Sequence, residues 1–203
     1  MHIRELKVKD AYVITPQEIT DERGTFLESF RADLLEKVIG HRFVMKQANT
    51  SVSRRGVVRG IHFADVPPGQ AKYVTALAGA VMDFVVDMRV GSPTFGTWDS
   101  VRLDAVGRRA VYLSEGLGHA FVALTEGATV NYSVSGLYSP TSEHAVHPLD
   151  AELGLDFSES AAPLQMSKKD AEAPTLHRAR ELGILPTWER CEAFYRSLKN
   201  AGG

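Results

Sequence analysis

Short apolar runs rich in Val, Phe, Tyr and Thr recur through the first two-thirds of the chain, each bounded by glycine, proline or acidic turn residues. The pattern predicts strands over Ala11–Thr15, Phe26–Phe30, Val44–Ser51, Val57–Phe63, Lys72–Ala78, Val81–Val90, Trp98–Leu103, Ala110–Leu113, Ala120–Leu124 and Thr129–Leu137. Turn signals fall at Asp21-Glu22-Arg23-Gly24, Pro67-Pro68-Gly69, Gly91-Ser92-Pro93, Val106-Gly107 and Glu126-Gly127. Many short strands with regular turns argue for a sandwich or barrel and against parallel βαβ units. One helix is predicted over Ala32–Ile39, closed by Gly40. After Pro163 the texture changes, and Lys168–Ala173, Pro174–Leu182 and Trp188–Leu198 read as helices interrupted by Gly183 and Pro186. The expected fold class is mainly β, with a short helical C-terminal tail. No repeat, low-complexity tract or linker divides the chain, so residues 1–203 are expected to form one domain, with a β core over about 11–160 and the tail over about 166–199.

The run Val81–Val90 is apolar enough to be buried on both faces, yet it contains Asp83 and Asp87. Buried carboxylates are costly unless paired. Asp87 is expected to be structural, held by Arg89 or a neighbour. Asp83 is either a structural partner of an arginine or a member of a site.

Composition sets outer limits. The chain has 203 residues, 44% hydrophobic and 24% charged, with a formal net charge of -2, so there is material for a real core and no global basic field to attract nucleic acid. The single cysteine, Cys191, excludes an intramolecular disulfide and a thiolate metal cluster, and suits a reducing compartment. The opening residues carry charges throughout and no apolar run is long enough to span a bilayer, so a cytoplasmic protein without a membrane partner is expected.

Candidate chemistry concentrates in Gly56–Lys72. His62 sits in a strand-like run, with Arg59 three residues before it and Lys72 ten residues after it. The Pro67-Pro68-Gly69 turn is expected to fold the chain back and bring Lys72 to His62 on an adjacent strand. Nearby cations should push the His62 pKa down, and a carboxylate behind the ring would restore its basicity and fix its tautomer. A titratable base between two cations suits an anionic substrate that must lose a proton. A metal site is the competing possibility. A His-x-His pair is missing, because Phe63 and Ala64 follow His62, and His62 with His119 alone makes a poor site. The cup is expected to hold no metal.

Several motifs together resemble the dTDP-4-dehydrorhamnose 3,5-epimerase family. They are D-E-R-G-x-F (Asp21–Phe26), Q-x-N (Gln47–Asn49), R-G-x-H-F (Arg59–Phe63), P-P-x-x-x-K-Y (Pro67–Tyr73), G-S-P-T-F-G (Gly91–Gly96), G-x-G-H-A-F (Gly116–Phe121) and N-Y-x-x-x-x-x-Y (Asn131–Tyr138). The likeness runs from about Thr15 to Pro186, and the tail resembles members from antibiotic deoxysugar pathways. It implies a cupin-type jelly-roll barrel that needs no cofactor and acts on a dTDP-4-keto-6-deoxy sugar. It implies a homodimer in which an N-terminal strand crosses over and Arg23 reaches the partner's site.

The same resemblance assigns roles. His62 matches the base, Asp170 the carboxylate behind it, Lys72 the cation at the developing enolate and Tyr132 the proton donor. Arg23 and Arg59 match residues that hold the pyrophosphate, while Phe26 and Tyr138 match positions near the thymine. Glu28, Gln47, Asn49, His119, Glu143 and Lys168 match further binding positions. Without the resemblance, Arg23 reads as a turn residue, Tyr132 and Tyr138 as core-edge aromatics, and Lys168-Lys169-Asp170 as an exposed helix start. The alternative function is a non-epimerising cupin, either a ketoisomerase or a nucleotide-sugar-binding module. Inversion at C3, at C5 or at both stays open at this level.

Overall fold

A computed structural model describes residues 1–201. In chain order its strands are β1 (His2–Glu5), β2 (Ala11–Thr15), β3 (Glu18–Asp21), β4 (Gly24–Leu27), β5 (Gln47–Ser53), β6 (Val58–Ala64), β7 (Lys72–Ala78), β8 (Ala80–Asp87), β9 (Trp98–Asp104), β10 (Ala110–Leu113), β11 (Leu117–Ala123), β12 (Ala128–Val134) and β13 (Glu143–Ala145). The helices are α1 (Ala32–Ile39), α2 (Lys168–Ala171), α3 (Leu176–Glu181) and α4 (Trp188–Ala201). The predicted bounds of β2, β7, β10 and α1 coincide with those observed. Sequence pattern did not give β1, β3 and β13, because these are short, mostly polar segments (HIRE, EITD and EHA) with no apolar run to mark them.

Two antiparallel sheets face each other in a jelly roll, as expected. One is six-stranded in the order β1-β2-β10-β7-β12-β5, and the other five-stranded in the order β13-β6-β11-β8-β9. The layer between them is built from alternate residues of both, including Val74, Val85, Val111, Phe121 and Val130. The outer face of the five-stranded sheet is also covered. Phe84 and Val86 pack there against Leu153, Phe157, Leu176 and Leu185 from the C-terminal segment. Every residue of β8 is therefore buried, as its apolar pattern requires. Burying a side chain such as Phe84 stabilises the fold by about 1.5–3 kcal/mol.

α1 places Leu35 and Ile39 one turn apart against Ile14, Tyr73 and Tyr112 on the six-stranded sheet. Gly40 ends it at φ 79°, donating its N–H to Glu36 O at 2.7 Å. β8 stops at Asp87 rather than continuing to Val90 because the chain turns there around a buried ion pair. The Asp87 carboxylate receives two hydrogen bonds of 2.8 Å from Arg89 and one of 2.6 Å from each of Ser92 and Thr94. Arg89 also bonds Asp10 and the Lys9 carbonyl, and stacks 4.6 Å from the centroid of Trp188. Asp87 is structural, and Arg89 ties the N-terminal loop and α4 to the sheet.

Candidate active site

One end of the sandwich opens into a cavity of about 580 Å³ between the two sheets. Its walls come from β5, β6, β7, β11 and β12, and residues 165–170 close one side.

β6 supplies both Arg59 and His62. On a regular strand, residues three apart point to opposite faces. Both nonetheless line the cup, while Ile61 and Phe63 point into the outer layer beneath the C-terminal segment. A β-bulge reconciles these facts. His119 on β11 pairs with His62 and Phe121 pairs with Arg59, so two steps on β11 match three on β6. Gly60 absorbs the extra residue at φ 112°, where an added Cβ would lie 2.3 Å from His119 O and 2.7 Å from the Ala120 Cα. No other residue fits there.

His62 is backed by a carboxylate from far along the chain. Its Nε2 lies 2.6 Å from Asp170 Oδ1, and the aspartate side chain is only 5% exposed. Asp170 is set by the start of α2, where Ser167 Oγ caps its N–H at 3.1 Å. Burial alone would raise the Asp170 pKa. The His62 hydrogen bond and charge, the Ser167 hydroxyl and the Gly60 backbone N–H together outweigh burial, and the carboxyl sits below its ordinary value.

Lys72 enters from the opposite sheet. The sequence pattern placed it on a strand adjacent to His62, but β6 and β7 belong to different sheets and do not pair. The turn carries the chain across the sandwich instead of back along one sheet. Lys72 Nζ still reaches the cup and donates to His62 O at 3.4 Å. Burial lowers its pKa to about 8, with Glu143 and Asp83 opposing the shift. Asp83 is not an arginine partner either. Its Oδ2 lies 2.7 Å from His119 Nε2, so a second histidine–aspartate pair stands beside the first on the cup wall.

Tyr132 lines the same cavity from β12. Its phenol pKa is raised chiefly by burial and further by Glu143, against the opposing pull of Arg59. Gln47 donates to Asn49 at 2.8 Å and accepts the Tyr138 N–H at 3.0 Å, tying β5 to the loop that carries Tyr138. Arg59 Nε donates to Ser53 Oγ at 3.1 Å, which ties its guanidinium to β5 at the cavity wall. Thus His62, Lys72, Tyr132, Asp170, Gln47, Asn49, Arg59, His119, Tyr138 and Glu143 all line one cavity. Among the described residues, no three His, Cys, Asp or Glu side chains converge as a metal cage.

The family model for dTDP-4-dehydrorhamnose 3,5-epimerase matches residues 5–178. The chain belongs to the dTDP-4-dehydrorhamnose 3,5-epimerase family. It is 53% identical to a dTDP-4-dehydrorhamnose 3-epimerase of Streptomyces niveus, over 95% of this chain and 92% of that one. It is also 53% identical to a dTDP-4-dehydrorhamnose 3,5-epimerase of Mycolicibacterium smegmatis, over 98% of each. Among solved structures, it superposes at a TM-score of 0.91 on a 3'-monoepimerase from Streptomyces bikiniensis in complex with dTDP-quinovose, with 44% identity and coverage of 96% and 98%.

Four positions that the family resemblance marks lie outside the cup of this chain. Arg23, Phe26 and Glu28 belong to or follow the β3–β4 hairpin, which pairs with neither large sheet. Arg23 is held by Asp21, and Glu28 bonds Arg31 at 3.2 Å. Lys168 points away, its side chain 86% exposed and 3.8 Å from Glu172, while its neighbour Lys169 lines the cavity. A helix advances about 100° per residue, so the phase of a four-residue helix decides which lysine faces in. Sequence reading also passed over Gln70 and Phe121, which line the cavity. Phe121 stands two residues beyond His119 on one strand, so strand alternation marks it for the same face.

Proposed function

We propose that this chain is an epimerase that inverts C3, C5 or both of a dTDP-4-keto-6-deoxyhexose in deoxysugar biosynthesis, using side chains alone. The observation that carries this reading is His62, backed by a buried aspartate in the same cup as Lys72 and Tyr132. A C–H beside a ketone gives up its proton only as the negative charge moves onto the carbonyl oxygen. His62 takes the proton, and Asp170 stabilises the imidazolium that results. Lys72 stabilises the enolate oxygen, and losing such a donor costs roughly 2.7–4 kcal/mol. Tyr132, kept protonated by burial, returns a proton on the other face of the ring. His119, held by Asp83, and Glu143 bind the sugar.

The nucleotide is assigned to the mouth of the cup. Arg59 suits the pyrophosphate through its guanidinium fork, with Lys169 adding charge in the place first given to Lys168. Tyr138, whose backbone is fixed by Gln47, stacks on the thymine.

The remaining groups come from a second copy. The β3 strand is exposed throughout, and Ile19 and Phe26 on the hairpin are 59% and 66% exposed. The outer face of the six-stranded sheet exposes Val52 and Leu77, beside an apolar depression of about 530 Å³ lined by Leu27, Phe30 and Met45. Surfaces of this kind favour association. A homodimer that exchanges its hairpins would bring Arg23, Phe26 and Glu28 to the partner's cup. Residues 1–203 act as one domain in this scheme, and the single cysteine suits the cytoplasm.

Incubation with dTDP-4-keto-6-deoxyglucose in deuterated water tests the function. Deuterium enters C3, C5 or both, and its position gives the regiochemistry. No incorporation at either carbon would sink the proposal.

A further inference from the structure

Behind the cup lies a buried carboxyl that the chemistry above does not use. Glu115, in the turn between β10 and β11, is only 3% exposed. Its Oε1 accepts the Ser135 hydroxyl at 3.1 Å, and its Oε2 has no partner among the described residues. Burial raises its pKa, with nearby His41 and Ser135 opposing. A carboxyl in such a place is an expensive way to fill space.

What it holds is the chain segment that delivers Lys72. Ser135 Oγ accepts the Ala71 N–H at 2.9 Å, and Ser135 N–H donates to Ala71 O at 3.0 Å. Gly69, at φ 68°, packs directly on the carboxyl side chain, where an added Cβ would lie 2.5 Å from Glu115 Cγ. Gln70 Nε2 donates to Gly136 O at 3.3 Å, completing a brace from residue 69 to residue 71. On its other side, the Glu115 carbonyl accepts the Tyr195 hydroxyl from α4.

We propose that Glu115, acting through Ser135, is a positioning residue that sets the depth of Lys72 in the cup. The inference rests on the epimerase reading for its effect on catalysis, and on geometry alone for its effect on Lys72. Two readouts separate them: deuterium incorporation kinetics, and acylation of Lys72 by an amine-directed reagent followed by peptide mass spectrometry. Ser135→Ala and Glu115→Ala are each expected to slow kcat by about 10- to 100-fold, as for a misplaced catalytic group. KM should stay within about three-fold, because the lost interaction is made in the transition state. Both variants should also acylate Lys72 faster than wild type. The double variant should be no slower than the slower single one, since both cut one chain of contacts. Glu115→Gln and Ser135→Thr keep an acceptor and a hydroxyl, and should restore kcat and protection of Lys72.

A folded Ser135→Ala protein with wild-type kcat and wild-type acylation overturns the proposal, even if its Tm falls. This holds too if Glu115→Ala does not fold. If the wild-type protein exchanges no deuterium, the epimerase function fails, and Lys72 acylation alone still decides the role of Glu115.

Discussion

His62 Nε2 and Asp170 Oδ1 meet at 2.6 Å although 108 residues separate them in the chain. The contact joins β6 of the five-stranded sheet to a four-residue helix in the tail. With one ring nitrogen donating to the carboxylate, the other is left to accept a proton. Asp170→Asn should keep the fold and lower kcat by about 10²- to 10⁴-fold, the usual worth of general-base catalysis. Single-turnover exchange on the purified variant measures it, and a loss of less than three-fold would remove Asp170 from the mechanism.

Lys72 links activity and stability to pH with opposite signs. Its pKa in the fold is about 8, below the ordinary 10.5. Enolate stabilisation needs the ammonium, so kcat should fall as pH rises through about 8. Stability should do the reverse. Between the two pKa values the unfolded chain binds a proton that the folded chain lacks, so stability rises with pH across that window. Lys72→Met should therefore stabilise the protein by up to about 3 kcal/mol near neutral pH while nearly abolishing turnover. Urea unfolding and turnover rates, each measured at pH 7 and pH 10, check the two signs.

Tyr132 can be separated from the base. Tyr132→Phe leaves His62 able to abstract a proton, so deuterium should still enter the substrate. Inverted product should fall by about 10²- to 10⁴-fold. If exchange and inversion disappear together, the phenol acts before reprotonation and the assignment is wrong.

Arg89 carries stability rather than chemistry. Arg89→Met leaves the fully buried Asp87 carboxylate without its cation, and should cost about 3–5 kcal/mol. Thermal melts of the single variant and of Arg89→Met with Asp87→Asn measure this. The double variant should recover part of the loss, because it buries no unpaired charge.

Hairpin exchange has a signature in mixed dimers. Arg23→Ala and His62→Ala proteins should each be inactive alone. In a hybrid, the Arg23→Ala subunit keeps its own base and receives an intact arm, so refolded mixtures should regain roughly a quarter of wild-type activity. Mixtures that stay inactive while forming hybrid dimers would show that Arg23 does not act across the interface.

Most strands of the two large sheets were legible because each carries a short apolar run with turn chemistry at its ends. β2, β7 and β10 needed nothing more. The site was legible only through several motifs taken together, and its details depend on geometry that no local pattern carries. Asp170 lies far from His62 in sequence, and nothing near it announces the contact. Lys168 and Lys169 differ by one position on a helix too short to show a period. Strand alternation, read literally, places Arg59 and His62 on opposite faces. Glu115 reads as one more polar turn residue, and only the tertiary fold encloses it.

The bulge at Gly60 works as a gauge. The span from a sugar carbon to the pyrophosphate of its nucleotide is fixed by covalent bonds, and an enzyme has to match it. A regular strand offers side chains on one face only at multiples of about 6.8 Å. By lodging one extra residue between Arg59 and His62, β6 gains a separation outside that series. Deleting Gly60 would leave both side chains facing the cup with a regular ladder behind them. His62 would then stand at a different distance from Arg59, and the spacing proposed to match the substrate would be lost.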